Sequence, residues 1–317
     1  MQPAPPTKDG EVIQPAPSTK DREVIQPAPP TTANTMVAHS STPHPHFDAQ
    51  DADLILRSSD EKPIDFRVYR QILSLTSEYW ASSPHSPVPK LVFDAEEKPC
   101  SLAELPIEDR MPVIYMQETA SVIEHLLLFL YPGETPSFGS LDALNEVMSA
   151  AHKYGMLPSL PSLRRCILSP FFLQRSPVRV YAIALRYNLR EEAREASRHT
   201  LKINIFDDAP CKDLDHITGN NFRDLVQLHC QRSRSAVKLL DSNWRRTHCS
   251  DSSCSTWVNK FRDKARRALI AIPDECAIFE FQFILSIEGN MCGKPGCPTT
   301  SNLGELRTKM TSLKATI

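Results

Sequence analysis

Around Phe66 and Val68 apolar and polar positions alternate, and from Gln71 onward the apolar positions recur at helical spacing. The stretch ADLILRSSD, 52–60, reads as a strand ending in a polar turn, and KPIDFRVYR, 62–70, reads as its hairpin partner, with Phe66 and Val68 on one face. In QILSLTSEYW, 71–80, Ile72, Leu73, Leu75, Thr76 and Tyr79 form a helical stripe. No glycine or proline separates strand from helix, so the chain is expected to turn a direct corner near Arg70. A long connector, 82–106, follows, and RMPVIYMQE, 110–118, supplies a third strand.

Helical periodicity then dominates. TASVIEHLLLFLYPG starts at Thr119, a residue type suited to N-capping, and stops at Pro132-Gly133. SLDALNEVMSAAHKYGM puts Leu141, Leu144, Met148 and Ala151 on one face, with Gly155 as the C-terminal cap. LPSLRRCIL is a short helix, and the run 176–202 breaks into two helices near Asn188. One further helix groups Phe222, Leu225, Val226 and His229. Another groups Trp257, Phe261, Ala265, Ala268 and Ile272 and is closed by Pro273. The expected class is therefore α+β: a small sheet capped by a helical cluster, then an all-helical C-terminal extension.

Order is expected to begin near Asp51. Residues 2–13, QPAPPTKDGEVI, recur as QPAPSTKDREVI at 14–25, and QPAPP starts again at 26. This proline-rich repeat has too few apolar residues to offset its ordering entropy, so 1–50 reads as a disordered tail. The histidines of HSSTPHPHF, 39–47, are read as incidental to it. The domains expected are thus the 1–50 tail, a folded domain over 51–190 and a helical extension over 191–317.

Composition narrows the function. The chain has 317 residues, 41% of them hydrophobic, and a net charge of −2, which calls for no nucleic-acid or acidic partner. Its nine glycines form no GxGxxG or GxxxxGK[ST] arrangement, and HExxH and GxSxG are absent from the sequence. That argues against a nucleotide-binding enzyme or a serine hydrolase. The longest apolar stretch, HLLLFLY at 125–131, is too short to span a bilayer. The first residues show no hydrophobic signal region, and the cysteine number is odd. An intracellular location, cytoplasm or nucleus, is expected.

DADLILRSSDEKPIDFRVYRQILSLTSEYW, then LLLFLYPGETPSFGSLDALNEVMSAAHKYGM and SPVRVYAIALRYNL, together resemble the BTB/POZ family, closest to the BTB-domain proteins of fungi. The likeness covers roughly 51–190, with gaps. It implies a small sheet whose second strand feeds the first helix, with Val68 and Leu73 entering one core. It also implies a protein-binding face used for homodimers and, in some members, for docking a cullin scaffold or a transcriptional corepressor. Function would be that of a non-catalytic adaptor, with protein partners that include a second copy of itself. Asp53 matches the family's acidic residue of strand one and Arg70 the basic residue after the corner; in dimeric members these line a charged pocket at the interface. Departures are Tyr69, where the family usually has histidine, and the long connector 82–106. Tyr69 joins Asp53 and Arg70 as a candidate interface residue.

Outside that resemblance stand two C-x4-C pairs, Cys249/Cys254 and Cys292/Cys297. Zinc takes four soft ligands in a tetrahedron, and two cysteine-bearing turns can supply two each. In CGKPGC the glycines permit a tight turn that points backbone N–H groups at sulfur. His248 is a substitute ligand. The alternative is four ordinary reduced cysteines and no cofactor at all. Cys166, Cys230 and Cys276 read as core residues.

Two weaker features complete the reading. Lys260, Arg262, Lys264, Arg266 and Arg267 cluster at 259–268; a solvated helix face explains them more simply than nucleic-acid contact does. Leu303, Leu306, Met310, Leu313 and Ile317 form a seam too short for a free coiled coil, so it is expected to pack on the body of the chain. The competing function is a zinc-stabilised regulator that contacts nucleic acid through its C-terminal half.

Overall fold

A computed structural model of the chain describes residues 41–77, 80, 107–108, 111–133, 136–207, 211–244 and 249–313. The repeats of the tail, Tyr79, the connector 82–106, His248 and Ile317 lie outside the described residues.

The fold is α+β, a small sheet followed by helices. The strands are β1 (Thr42–Asp48), β2 (Leu54–Arg57), β3 (Ile64–Val68), β4 (Ile107–Glu108) and β5 (Met111–Tyr115), in spatial order β1-β3-β2-β5-β4. The predicted hairpin forms as an antiparallel β2/β3 pair, with Leu54 opposite Val68 and Arg57 opposite Asp65. β5 runs parallel to β2, and β1 runs parallel to β3.

Order therefore begins before Asp51, which corrects the tail at its C-terminal end. Thr42–Asp48 is an edge strand, where Pro43 and Pro45 can sit without removing a ladder donor. It is held by His44 and Phe47, each 7% exposed; the His44 ring stacks on Phe66 at 4.6 Å, and Phe47 meets Tyr131 edge-on at 5.5 Å. His44 is thus a core side chain rather than an incidental one.

The corner near Arg70 is present. β3 ends at Val68, Tyr69 is extended, and α1 (Arg70–Thr76) begins at the next residue. Val68 and Leu73 are fully buried in one core, as the resemblance implied. Leu75, assigned to the apolar stripe, is 77% exposed, because a seven-residue helix offers only one buried position, Leu73.

The helices that follow are α2 (Ala120–Leu130), α3 (Leu141–Lys153), α4 (Leu160–Ile167), α5 (Pro170–Arg175), α6 (Pro177–Arg186) and α7 (Arg190–Thr200). Thr119 occupies the N-cap position of α2, but its side chain accepts no capping bond. Asp60, at the end of the β2 turn, does so instead, accepting the Ala120 N–H at 2.7 Å. α3 buries Leu141, Leu144, Met148 and Ala151 as its periodicity required, and Gly155 closes it at φ +58°. Asn188, at φ +56°, makes the break between α6 and α7.

α8 (Gly219–Asn243), 25 residues long, joins two apolar clusters. Leu225 near its start belongs to the sheet-centred cluster; Ala236 and Leu240 near its end belong to a second. That second cluster is completed by α9 (Ser252–Ala271), α10 (Cys276–Phe279), α11 (Phe281–Leu285) and α12 (Pro298–Leu313). Trp257 stacks on Phe261 at 5.4 Å, with Trp244 edge-on to the same ring. Leu306 and Met310 of α12 are buried there, so the C-terminal seam packs on the body. Arg232, itself buried, donates to the carbonyl of Leu313 at the end of α12, where a helix dipole favours a cation. Cys230 and Cys276 are exposed and Cys166 is half-buried, so the two former are not core residues.

Candidate functional site

Two constellations carry the candidate chemistry. The first is the corner itself. Asp53, immediately before β2, reaches across to the start of α1, where Oδ1 accepts the Arg70 backbone N–H at 2.8 Å and Oδ2 accepts from Arg70 Nε at 3.0 Å. A carboxylate there satisfies an orphan helix donor and opposes the positive end of the helix dipole. Tyr69 donates its hydroxyl to Asp51 at 2.7 Å, and its backbone N–H donates to the Tyr131 hydroxyl at 3.1 Å. The hydrogen bond to Asp51 pushes the Tyr69 pKa up. Asp53, Tyr69 and Arg70 thus share one corner, with the Asp53 and Arg70 side chains about half exposed. Within the sheet beneath it, buried Arg57 donates to Asp65 at 2.7 Å and to Glu108 at 2.6 Å, tying β2 to β3 and β4. Sequence gave no sign of this group, because Glu108 lies beyond the connector.

The second constellation is the cysteine cluster. The ligand atoms of Cys249, Cys254, Cys292 and Cys297 all lie within 4.8 Å of one another. The sulfurs of Cys249 and Cys292 are 3.7 Å apart, as are those of Cys254 and Cys297. A tetrahedral S4 site with bonds of about 2.3 Å has sulfur–sulfur edges of roughly 3.8 Å. A disulfide would bring a pair to about 2.05 Å.

Local structure explains the convergence. Cys249 precedes α9 and Cys254 lies in its first turn; Cys292 precedes α12 and Cys297 immediately adjoins its first residue, Pro298. Two helix N-termini therefore point at the cluster, and both favour negative sulfur. In CGKPGC, Gly293 at φ +63° and Gly296 at φ +76° adopt left-handed backbone that a side chain would strain. Backbone N–H groups two residues on reach sulfur three times: from Asp251 to Cys249, from Lys294 to Cys292 and from Thr299 to Cys297. Lys294 pairs with Asp251 at 3.3 Å and links the two turns.

The thiols do not ionise equally. The hydroxyl and backbone N–H of Thr299 bring Cys297 down to about 6. At Cys292 the Lys294 N–H favours the thiolate, yet the neighbouring Cys297 thiol, burial and the other two thiols outweigh it and push the pKa up to about 12. Negative charge is thus favoured at Cys297 and opposed at Cys292, an opposition that a divalent cation would relieve. Sequence spacing found all four cysteines. It missed Thr299, whose Oγ1 also lies 3.1 Å from the Cys254 sulfur, and the Asp251–Lys294 link. Both follow from turn geometry rather than from residue type.

No family model matches the chain, and no curated protein matches it either.

Proposed function

We propose that the chain is a non-catalytic protein-interaction module of the BTB type, whose C-terminal helices are fastened by a structural zinc ion. The observation that carries the metal half is the convergence of four thiols from two turns to within 4.8 Å of one another, two sulfur pairs at 3.7 Å, close to a tetrahedral edge. A zinc ion held there would bridge the start of α9 to the start of α12, joining segments 43 residues apart without a covalent bond. Its chemistry would be structural: four protein ligands leave no open position for substrate.

The interaction half rests on the corner and on the sequence resemblance. Asp53 and Arg70 are about half exposed and Tyr69 partly so, yet all three are held by backbone and side-chain bonds, so the Asp53–Arg70 pair would present charge to a partner with little loss of side-chain freedom. A second copy of the chain is the partner the resemblance favours. Contact with nucleic acid is disfavoured by where the basic residues go. Lys260 pairs with Glu288, Arg262 and Arg266 share Asp241, and Lys264 bonds Ser286.

Light scattering after size-exclusion chromatography tests the interaction reading. The wild type is expected to dimerise, and Asp53→Lys, which places two cations at the corner, is expected to be monomeric. A wild type that stays monomeric at high concentration removes the self-association reading.

A further inference from the structure

We infer that the cysteine cluster is a peroxide-reactive site that exchanges its metal clasp for two disulfide bridges across the same two turns, Cys249–Cys292 and Cys254–Cys297. This rests on the zinc reading above and extends it to the regulation of that site.

Two sulfur pairs already approach each other across the turns. Within a C-x4-C pair the two sulfurs belong to one turn, but the 3.7 Å approaches join Cys249 to Cys292 and Cys254 to Cys297, across the turns. Once a cation no longer stands between them, each pair needs to close by only roughly 1.7 Å to reach disulfide length. Access differs between the pairs: Cys249 and Cys292 are partly exposed, whereas Cys254 and Cys297 are buried. The outer pair is therefore attacked first. A thiolate of that pair attacks one oxygen of hydrogen peroxide, the O–O bond breaks, and a sulfenic acid and hydroxide form. The partner thiolate then displaces the second hydroxide and closes the bridge. Each bridge oxidises two sulfurs by one electron each and reduces one peroxide to two hydroxides. Four thiolates thus consume two peroxides and release the metal, which has lost its ligands. The inner pair follows once the first bridge has stripped two ligands from the ion.

The consequence differs from that of an opening switch. Both the metal and the bridges tie the start of α9 to the start of α12, so oxidation leaves α12 fastened, with Leu306 and Met310 still covered. The cluster would report peroxide by releasing metal, not by unfolding the bundle.

The test uses the full-length chain, purified reduced and assayed first for bound zinc. Graded hydrogen peroxide is then added, with zinc release followed by a chromogenic chelator and cysteine products by intact mass and non-reducing peptide mapping. The expected result is release of one zinc per chain with a mass loss of about 4 Da, and cross-linked peptides containing Cys249–Cys292 and Cys254–Cys297. Cys292→Ser is expected to retain the Cys254–Cys297 bridge alone. Zinc bound but retained under peroxide overturns the exchange, as does release accompanied by sulfinic acids or by Cys249–Cys254 bridges; in each case the zinc reading stands. A chain that holds no zinc before peroxide, even after reconstitution, removes both.

Discussion

His229 sits at the waist of α8, where the helix passes from one apolar cluster to the other, and acidification should act through it. Its Nε2 lies 2.9 Å from the Thr200 hydroxyl, and the two residues are 7% and 0% exposed. Burial holds its pKa down at about 4, against an ordinary 6.5. The folded chain therefore refuses a proton that the unfolded chain accepts. Stability is full above pH 6.5 and falls as pH drops through 6.5 toward 4, where the loss levels off. A displacement of that size corresponds to about 3 kcal/mol at most, of which about 2 kcal/mol is lost by pH 5. Urea unfolding at pH 8, 7, 6 and 5, comparing wild type with His229→Gln, isolates this contribution, since every other group titrates alike in both. Glutamine keeps a polar partner for Thr200 but cannot titrate. The stability difference between the two proteins should shrink, or invert, by about 2 kcal/mol between pH 8 and pH 5. Parallel pH profiles would refute the buried placement of His229, and with it the packing of α8 on α7.

Two further perturbations probe the sheet and its corner. Leu73→Ala should cost about 3 kcal/mol, because Leu73 is fully buried, whereas Leu75→Ala, at a 77% exposed position, should change thermal stability by no more than about 0.5 kcal/mol; equal effects would contradict the corner. Asp60→Ala should cost about 1 kcal/mol by removing the acceptor for the Ala120 N–H at the start of α2. The Ser58 side chain and that N–H hold the Asp60 carboxyl below its usual range. Its contribution is therefore present above the unfolded carboxyl value and lost as pH falls below about 4, so wild type and variant should converge in acid denaturation.

Much of this was legible in the sequence, and what was not has a physical reason. Period-two spacing located β3 and helical spacing the long helices, because in each one face meets the core; β2, buried on both faces, reads instead as a short apolar run. The break at Asn188 and the cap at Gly155 were legible because few residues accept a positive φ. β1 was hidden: its buried residues, His44 and Phe47, stand three apart across a register irregularity between Pro43 and Asp48, so no alternation marks it. Its prolines also mimic the tail. The exposure of Leu75, Cys230 and Cys276 could not be read from local periodicity, since it depends on which neighbours a helix meets. For the candidate metal centre, spacing supplied the four sulfurs. Only the fold shows that the two turns meet, bringing sulfurs 43 residues apart to within 3.7 Å. The corner residues Asp53, Tyr69 and Arg70 came from the family resemblance, and the hydrogen bonds that join them came from the fold.

The most direct test of the account is the metal content of the full-length chain, purified under reducing conditions and measured by inductively coupled plasma mass spectrometry. One zinc per chain is expected, retained through dialysis, with stoichiometric binding abolished in both Cys292→Ser and Cys297→Ser. A reduced wild-type chain that carries no stoichiometric metal, and takes up none on titration with Zn²⁺, would contradict it.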